Sequence, residues 1–129
     1  MLKKPKLEVA IWIMVITVFV LYGIGARLIF TGVQRSAQEA RGIYGGDHVG
    51  ALIALVEDES ASFEKRNSAI WALGQIGSDR ALPTLRELDT SEVQQPPYDS
   101  TQYILQYSVE KSIKQINSFS VTRWMYRFL

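Results

Sequence analysis

The chain has no cysteine, a single histidine and only four prolines. Without thiols it can form no disulfide, no thiolate metal site and no cysteine nucleophile. A cysteine-free chain suits either redox environment, so the compartment stays open. The one histidine, His48, has no second imidazole with which to build a zinc site. Beside Asp47 at a predicted helix start, it reads as a surface or capping residue. Charge of one sign is missing too, because 14 Lys and Arg face 13 Asp and Glu for a net +1. No overall pull toward nucleic acid follows from that balance, and Arg35, Arg41, Lys65 and Arg66 form no dense basic stripe. The glycines of Gly74-Gln75-Ile76-Gly77 and Gly42-Ile43-Tyr44-Gly45-Gly46 lack the lysine and the preceding strand of a phosphate loop. Glu57, Asp58 and Glu59 lack the alternating oxygen ligands and central glycine of a calcium loop, and read as a solvated turn. Serines are present, but the lone histidine has no evident nucleophile partner. The expectation is a chain without catalytic residues, cofactor, metal or small-molecule substrate.

Long apolar runs are not lacking. No residue from 9 to 26 is charged, and nearly all are Ile, Val, Leu, Met or aromatic. At about 1.5 Å per residue that run spans roughly 27 Å, the thickness of a hydrocarbon core. Leu28, Ile29 and Phe30 extend it past Arg27, whose long side chain can snorkel to the headgroups. Residues 1–30 are therefore predicted to be a transmembrane helix, with Trp12 and Tyr22 toward its two interfaces. A cleaved signal peptide shares the basic start and the small residues Gly23, Gly25 and Ala26, but its apolar core is only about 7–15 residues long. In an anchor, those small residues offer a packing face to a neighbouring membrane helix. Lys3, Lys4 and Lys6 form the denser basic cluster, which places the amino terminus in the cytoplasm. The domain is then expected outside, periplasmic if the membrane is a bacterial inner membrane.

Residues 31–46 carry good helix formers but a thin apolar stripe, and are expected to extend the membrane helix by a turn or two or to form a stalk. Gly45-Gly46 breaks the chain, and Asp47 is the expected N-cap of the next helix, its carboxylate accepting from first-turn amides. Helical spacing then predicts helices over residues 48–57 (Val49, Leu52, Ile53, Val56), 63–76 (Ala69, Ile70, Leu73, Ile76) and from Ser78 or Asp79 through Leu82, Leu85 and Leu88. Pro83 falls in the opening turns of the third, where a proline is tolerated. After a loop containing Pro96-Pro97, a fourth helix is predicted over residues 101–117, with Leu105, Val109, Ser112, Ile113 and Ile116 on one side. The tail, residues 118–129, is aromatic and carries Arg123 and Arg127. No strand pattern competes, so the fold class is all-α.

The run Arg66-Asn67-Ser68-Ala69-Ile70-Trp71-Ala72-Leu73-Gly74-Gln75-Ile76-Gly77, continued by Ala81-Leu82-Pro83-Thr84-Leu85, resembles the phycobilisome-lyase type of HEAT repeat. In that pattern an arginine precedes an alanine by three residues, followed by Ala-Leu-Gly-x-Ile-Gly and an Ala-hydrophobic-Pro-x-Leu start to the next helix. The resemblance implies a short α-solenoid of about two helix pairs over residues 47–117. Small Ala69 and Ala72 would let paired helices approach, and Gly77 would permit a left-handed chain reversal. This chain departs from the pattern at Lys65, where valine is usual, and in its second pair, which lacks the Ala-Leu-Gly signature. Two pairs leave apolar faces that a longer array would bury by stacking, so both ends are expected to be open to something else.

These features together imply a non-catalytic accessory or scaffold subunit of a membrane-protein complex, whose partners are other subunits and the bilayer. The candidate partner-binding residues are Trp71, Tyr103, Tyr107, Trp124, Met125, Tyr126, Phe128 and Leu129, with Gly23, Gly25 and Ala26 packing within the membrane. The tail has three expected uses: folding back as a cap, pressing into a partner, or resting on the bilayer. The alternative is a membrane-tethered assembly factor or lyase-like enzyme acting on a cofactor-bearing protein, because some lyases sharing the repeat attach bilins to antenna proteins.

Overall fold

The computed structural model of the chain describes residues 5–89, 99–118 and 121–126, and all regular structure among them is helical. The helices are α1 (Pro5–Tyr44), α2 (His48–Glu57), α3 (Phe63–Ile76), α4 (Leu82–Leu88), α5 (Ser100–Asn117) and α6 (Val121–Met125), with a 3-10 turn at Asp79–Ala81 before α4. The chain divides into two compact units, Met1–Thr31 and Gly32–Leu129.

The first unit is the opening part of α1. Its apolar 18-residue window has a mean hydropathy of 2.4, and none of that window is buried. A helix apolar on every side cannot satisfy one face against water and the other against a core. By length and composition it is able to cross a membrane. Thr17 and Thr31 return their hydroxyls to the carbonyls four residues back, so the unit carries few unmet polar groups.

The second unit is built from two helix pairs. α2 and α3 bear the bounds that apolar spacing predicts. Ser62 caps α3 by accepting from the Lys65 amide, and Gly77 ends it in the left-handed region (φ 69°) with its N–H on the Leu73 carbonyl. α4 begins only at Leu82, because Asp79–Ala81 winds as a tighter turn and Pro83 then takes a first-turn position where no amide is needed. α5 starts at Asp99, whose carboxylate accepts from the Thr101 amide. The core between the pairs is Leu52, Val56, Ile70, Leu73, Leu85, Val109 and Ile116, all essentially inaccessible. Ile76, Leu82, Leu88, Leu105 and Ile113, expected on the buried faces, are half-buried.

Two expectations need correction. The stretch expected to extend the membrane helix by a turn or two, or to form a stalk, continues it further, as far as Tyr44, and Val33, Ala37 and Ala40 are buried within the second unit. Gly32 meets the Trp71 ring, Glu39 pairs with Lys65 at 3.0 Å, and the Tyr44 hydroxyl donates to Asp58. As α1 advances, its partners run backward along the chain, so this part of α1 lies antiparallel to α3. The first pair is therefore covered on that side by its own chain, and does not present an open end there. Asp47 does occupy the N-cap position of α2, but it closes no side-chain cap bond. Its two carboxylate oxygens go instead to the Arg80 guanidinium, at 2.5 and 3.3 Å.

Candidate interaction surface

The seam between α3 and α5 organises the surface. An added Cβ at Gly74 would sit 2.6 Å from Ser112 Oγ and 3.0 Å from Ser112 Cα, so the two backbones meet where neither has room for a larger residue. Ser112 Oγ donates to the Ile70 carbonyl at 2.9 Å, satisfying a hydroxyl buried in that contact. Contacts pair early α3 with early α5 and late with late, so the helices run parallel. Arg66, the arginine of the repeat pattern, donates Nε–H to the Val56 carbonyl at 2.9 Å, placing a positive charge on the last turn of α2. Gly77 serves twice, since an added Cβ there would press on Arg123 Cγ at 3.1 Å. Arg123 reaches from α6 to the Ile116 carbonyl and to Asp79.

Ionisable groups around this frame serve structure. Hydrogen bonding from Arg80 is the chief reason the Asp47 carboxyl is held below the usual carboxylate range. Asp58 is lowered first by the Ser60 hydroxyl and then by Tyr44, whose own phenol is raised by donating to that carboxylate. Glu57 accepts from Thr84 at 2.9 Å, tying α2 to α4. Among the described residues no group of three or more His, Asp or Glu side chains is placed to hold a metal. His48 is half-buried in the first turn of α2.

The predicted site residues separate. Tyr103 and Tyr107 are 64% and 57% exposed, one turn apart on α5, and Trp124 is 67% exposed. Met125 is half-buried, and Tyr126 is buried with 4% of its surface accessible. The tail thus turns back onto the second unit through Arg123 and Tyr126 while presenting Trp124 outward. Phe128 and Leu129 lie outside the described residues. Gly23 and Gly25 have nothing within 4 Å of an added Cβ; Gly23 is exposed, while Gly25 and Ala26 are half-buried.

Trp71 and Tyr107 do come together. They wall a shallow groove of about 220 Å³ between α3 and α5, whose other lining includes Asn67, Ser68, Lys111 and Gln115. The Lys111 ammonium lies 5.7 Å from the Tyr107 ring centroid. Asn67 Oδ1 is buried with no hydrogen-bond partner among the described residues. Asn67 and Lys111 escape a reading for aromatic anchors. The available signal was spacing, since Asn67 and Trp71 are one helical turn apart on α3, as are Tyr107 and Lys111 on α5.

In the second unit, then, two helix pairs meet through a glycine–serine contact, and an arginine of α3 binds the end of the preceding helix. Residues 65–89 match the family model described as PBS lyase HEAT-like repeat. The match spans α3 from its third residue, the Gly77 reversal and α4. No curated protein and no solved structure matches the chain.

Proposed function

We propose that the chain is a non-catalytic accessory or scaffold subunit of a membrane-protein complex. In this reading α1 anchors it as a single-pass protein, and the HEAT-like pairs form a minimal solenoid that binds neighbouring subunits. The observation carrying the proposal is the fully unburied apolar window of α1, coupled in one chain to a domain with exposed aromatics and a repeat type suited to protein contacts. Tethering raises the domain's effective concentration beside membrane-embedded partners without any new contact. The lysines ahead of the span favour a cytoplasmic amino terminus with the domain on the other face.

The test is purification of the tagged full chain from native membranes in mild detergent, with mass measurement and identification of what accompanies it. A stoichiometric set of membrane proteins is expected. Release by alkaline carbonate as a monomer without companions would refute the proposal. The absence of cysteine permits a clean topology assay. Glu59→Cys, on an exposed turn, should react with an impermeant thiol reagent added from outside the cytoplasmic membrane.

A further inference from the structure

We infer that the Gly77 end of the second unit rests in the headgroup layer of a phospholipid bilayer, with Trp124 of α6 as its anchoring side chain. This rests on the reading of α1 as a membrane anchor, and it adds the lipid surface itself to what the domain binds. The first support is where the chain enters the unit. The apolar run ends at Phe30 and the second unit begins at Gly32, so about 3 Å of helix axis separates this unit from the end of the run. Gly32 lies against the Trp71 ring, and α3 runs antiparallel to the part of α1 that follows Gly32. The C-terminal end of α3 therefore lies back past the point of entry. From Trp71 to Gly77 that is about 9 Å of axis, whereas the headgroup layer of one leaflet is only about 5–7 Å thick. An end that reaches back so far does not stand clear of the layer.

The side chains at this end suit that layer. α6 packs there through Arg123, whose stem lies over Gly77 and whose guanidinium meets Asp79 and the Ile116 carbonyl. The neighbouring Trp124 is left 67% exposed. An indole carries a broad apolar ring and one N–H, which favours the boundary between headgroups and acyl chains over either water or hydrocarbon. Lys114, in the last turn of α5, is exposed and makes no ion pair among the described residues, so its ammonium is free to meet lipid phosphate. Asp79, the acid on the reversal after α3, is already offset by Arg123 at 3.3 Å. A partner protein could cover Trp124, but lipid is the one surface that the chain itself brings to this end.

The test uses the full chain reconstituted in phosphatidylcholine–phosphatidylglycerol vesicles, with Trp12→Phe and Trp71→Phe leaving Trp124 as the sole tryptophan. Its emission should lose most of its intensity to lipids bearing a nitroxide on the headgroup, and less to lipids labelled at the acyl-chain end. Should the double substitution loosen the fold, Trp124→Cys in the otherwise cysteine-free chain, carrying a spin label, gives the same depth from its exposure to oxygen against a water-soluble relaxant. Emission untouched by either lipid label, or quenched freely by aqueous acrylamide, would overturn the inference. So would a Trp124→Cys thiol that reacts freely in vesicles but is protected in native membranes, where a partner protein is then the cover. The two readings fail separately. In a chain with Trp71→Phe and Trp124→Phe, Trp12 alone reports the anchor. Trp12 quenched by the lipid labels with Trp124 untouched would leave the anchor and remove the surface contact. Trp124 quenched with Trp12 untouched would do the reverse.

Discussion

Gly74→Ala is the substitution whose sign decides whether the α3–α5 contact organises the second unit. In an isolated helix the change is favourable by about 1 kcal/mol, because alanine loses less backbone entropy. Here the new methyl would lie 2.6 Å from Ser112 Oγ, 2.9 Å from its Cβ and 3.0 Å from its Cα. The last of these is backbone, so no rotamer change relieves it, and α5 must move. Overpacking of this kind costs about 1–3 kcal/mol. Shifting α5 also strains the buried Ser112 bond to the Ile70 carbonyl, worth about 1 kcal/mol. The balance is a net loss of about 1–3 kcal/mol. For a unit near a hundred residues each kcal/mol moves Tm by about 4–8 °C, so a central loss of about 2 kcal/mol lowers it by about 8–16 °C. Circular dichroism of the full chain in mild detergent, melted beside the unaltered protein, reads this directly. Ser112→Gly should recover part of the loss in the double variant, since it removes Oγ and Cβ but not Cα. A Gly74→Ala chain as stable as the parent, or more so, would refute the close approach on which the seam depends.

Arg66→Ala should destabilise the second unit by about 1.5–3 kcal/mol by leaving the Val56 carbonyl without its charged donor. Arg66→Lys should recover only part, because an ammonium lacks the directed Nε–H; denaturant titration resolves the three variants. Gly77→Ala should cost about 1–2 kcal/mol for a left-handed backbone at φ 69°, with the flexible Arg123 stem yielding to the methyl. Stability should also fall at both pH extremes. Asp47 and Asp58 have lowered folded-state pKa values, so their contribution is present above the ordinary carboxylate range and disappears as pH drops through the lowered values. Tyr44 is raised, so its contribution holds below the ordinary phenol value of 10.0 and is lost as pH rises through the higher folded value. Tyr44→Phe should flatten the alkaline limb of the melting profile, and Asp47→Asn the acidic one. An unchanged profile in either variant would show that the group does not govern that limb.

How much of the fold is legible in the sequence depends on the range of the interactions. α2 and α3 are set by local signals: apolar residues at helical spacing, a serine ahead of α3 and a glycine after it. Gly74 is legible as a close-contact position from the repeat pattern, although its partner Ser112 is not, since nothing local joins them. The packing of α1 beyond Thr31 escapes a sequence reading because its buried stripe is Val33, Ala37 and Ala40. Small side chains give a weak hydrophobic signal in sequence, yet their size is what permits one helix to lie close on another. Asp47 reads as a cap on local grounds, but a guanidinium distant in sequence takes its carboxylate. The groove is invisible for the same reason, because Asn67 and Lys111 become neighbours only when the pairs pack.

That packing also changes the case for a partner. A lone helix pair has apolar faces that stacking must hide, but in this unit the chain hides much of that surface itself. Residues 33–40 of α1 bury their small stripe, and α6 brings Arg123 onto Gly77 at the reversal after α3. In the proposed scaffold role, the case for a neighbour therefore does not rest on exposed core. It rests on side chains that the chain leaves outward at some cost in solubility. Tyr103 and Ile104 share one turn of α5 and Tyr107 lies on the next, and Trp124 stands beyond them in the chain. Scattered apolar residues on a surface need no explanation, but neighbours on consecutive turns of one helix make a continuous patch. Tyr107 belongs both to that patch and to the wall of the groove. If the proposed scaffold role holds, this patch makes α5 the helix whose substitution should loosen a neighbour first, and Tyr103→Ser with Tyr107→Ser should reduce co-purification without lowering the melting temperature, because both side chains are exposed.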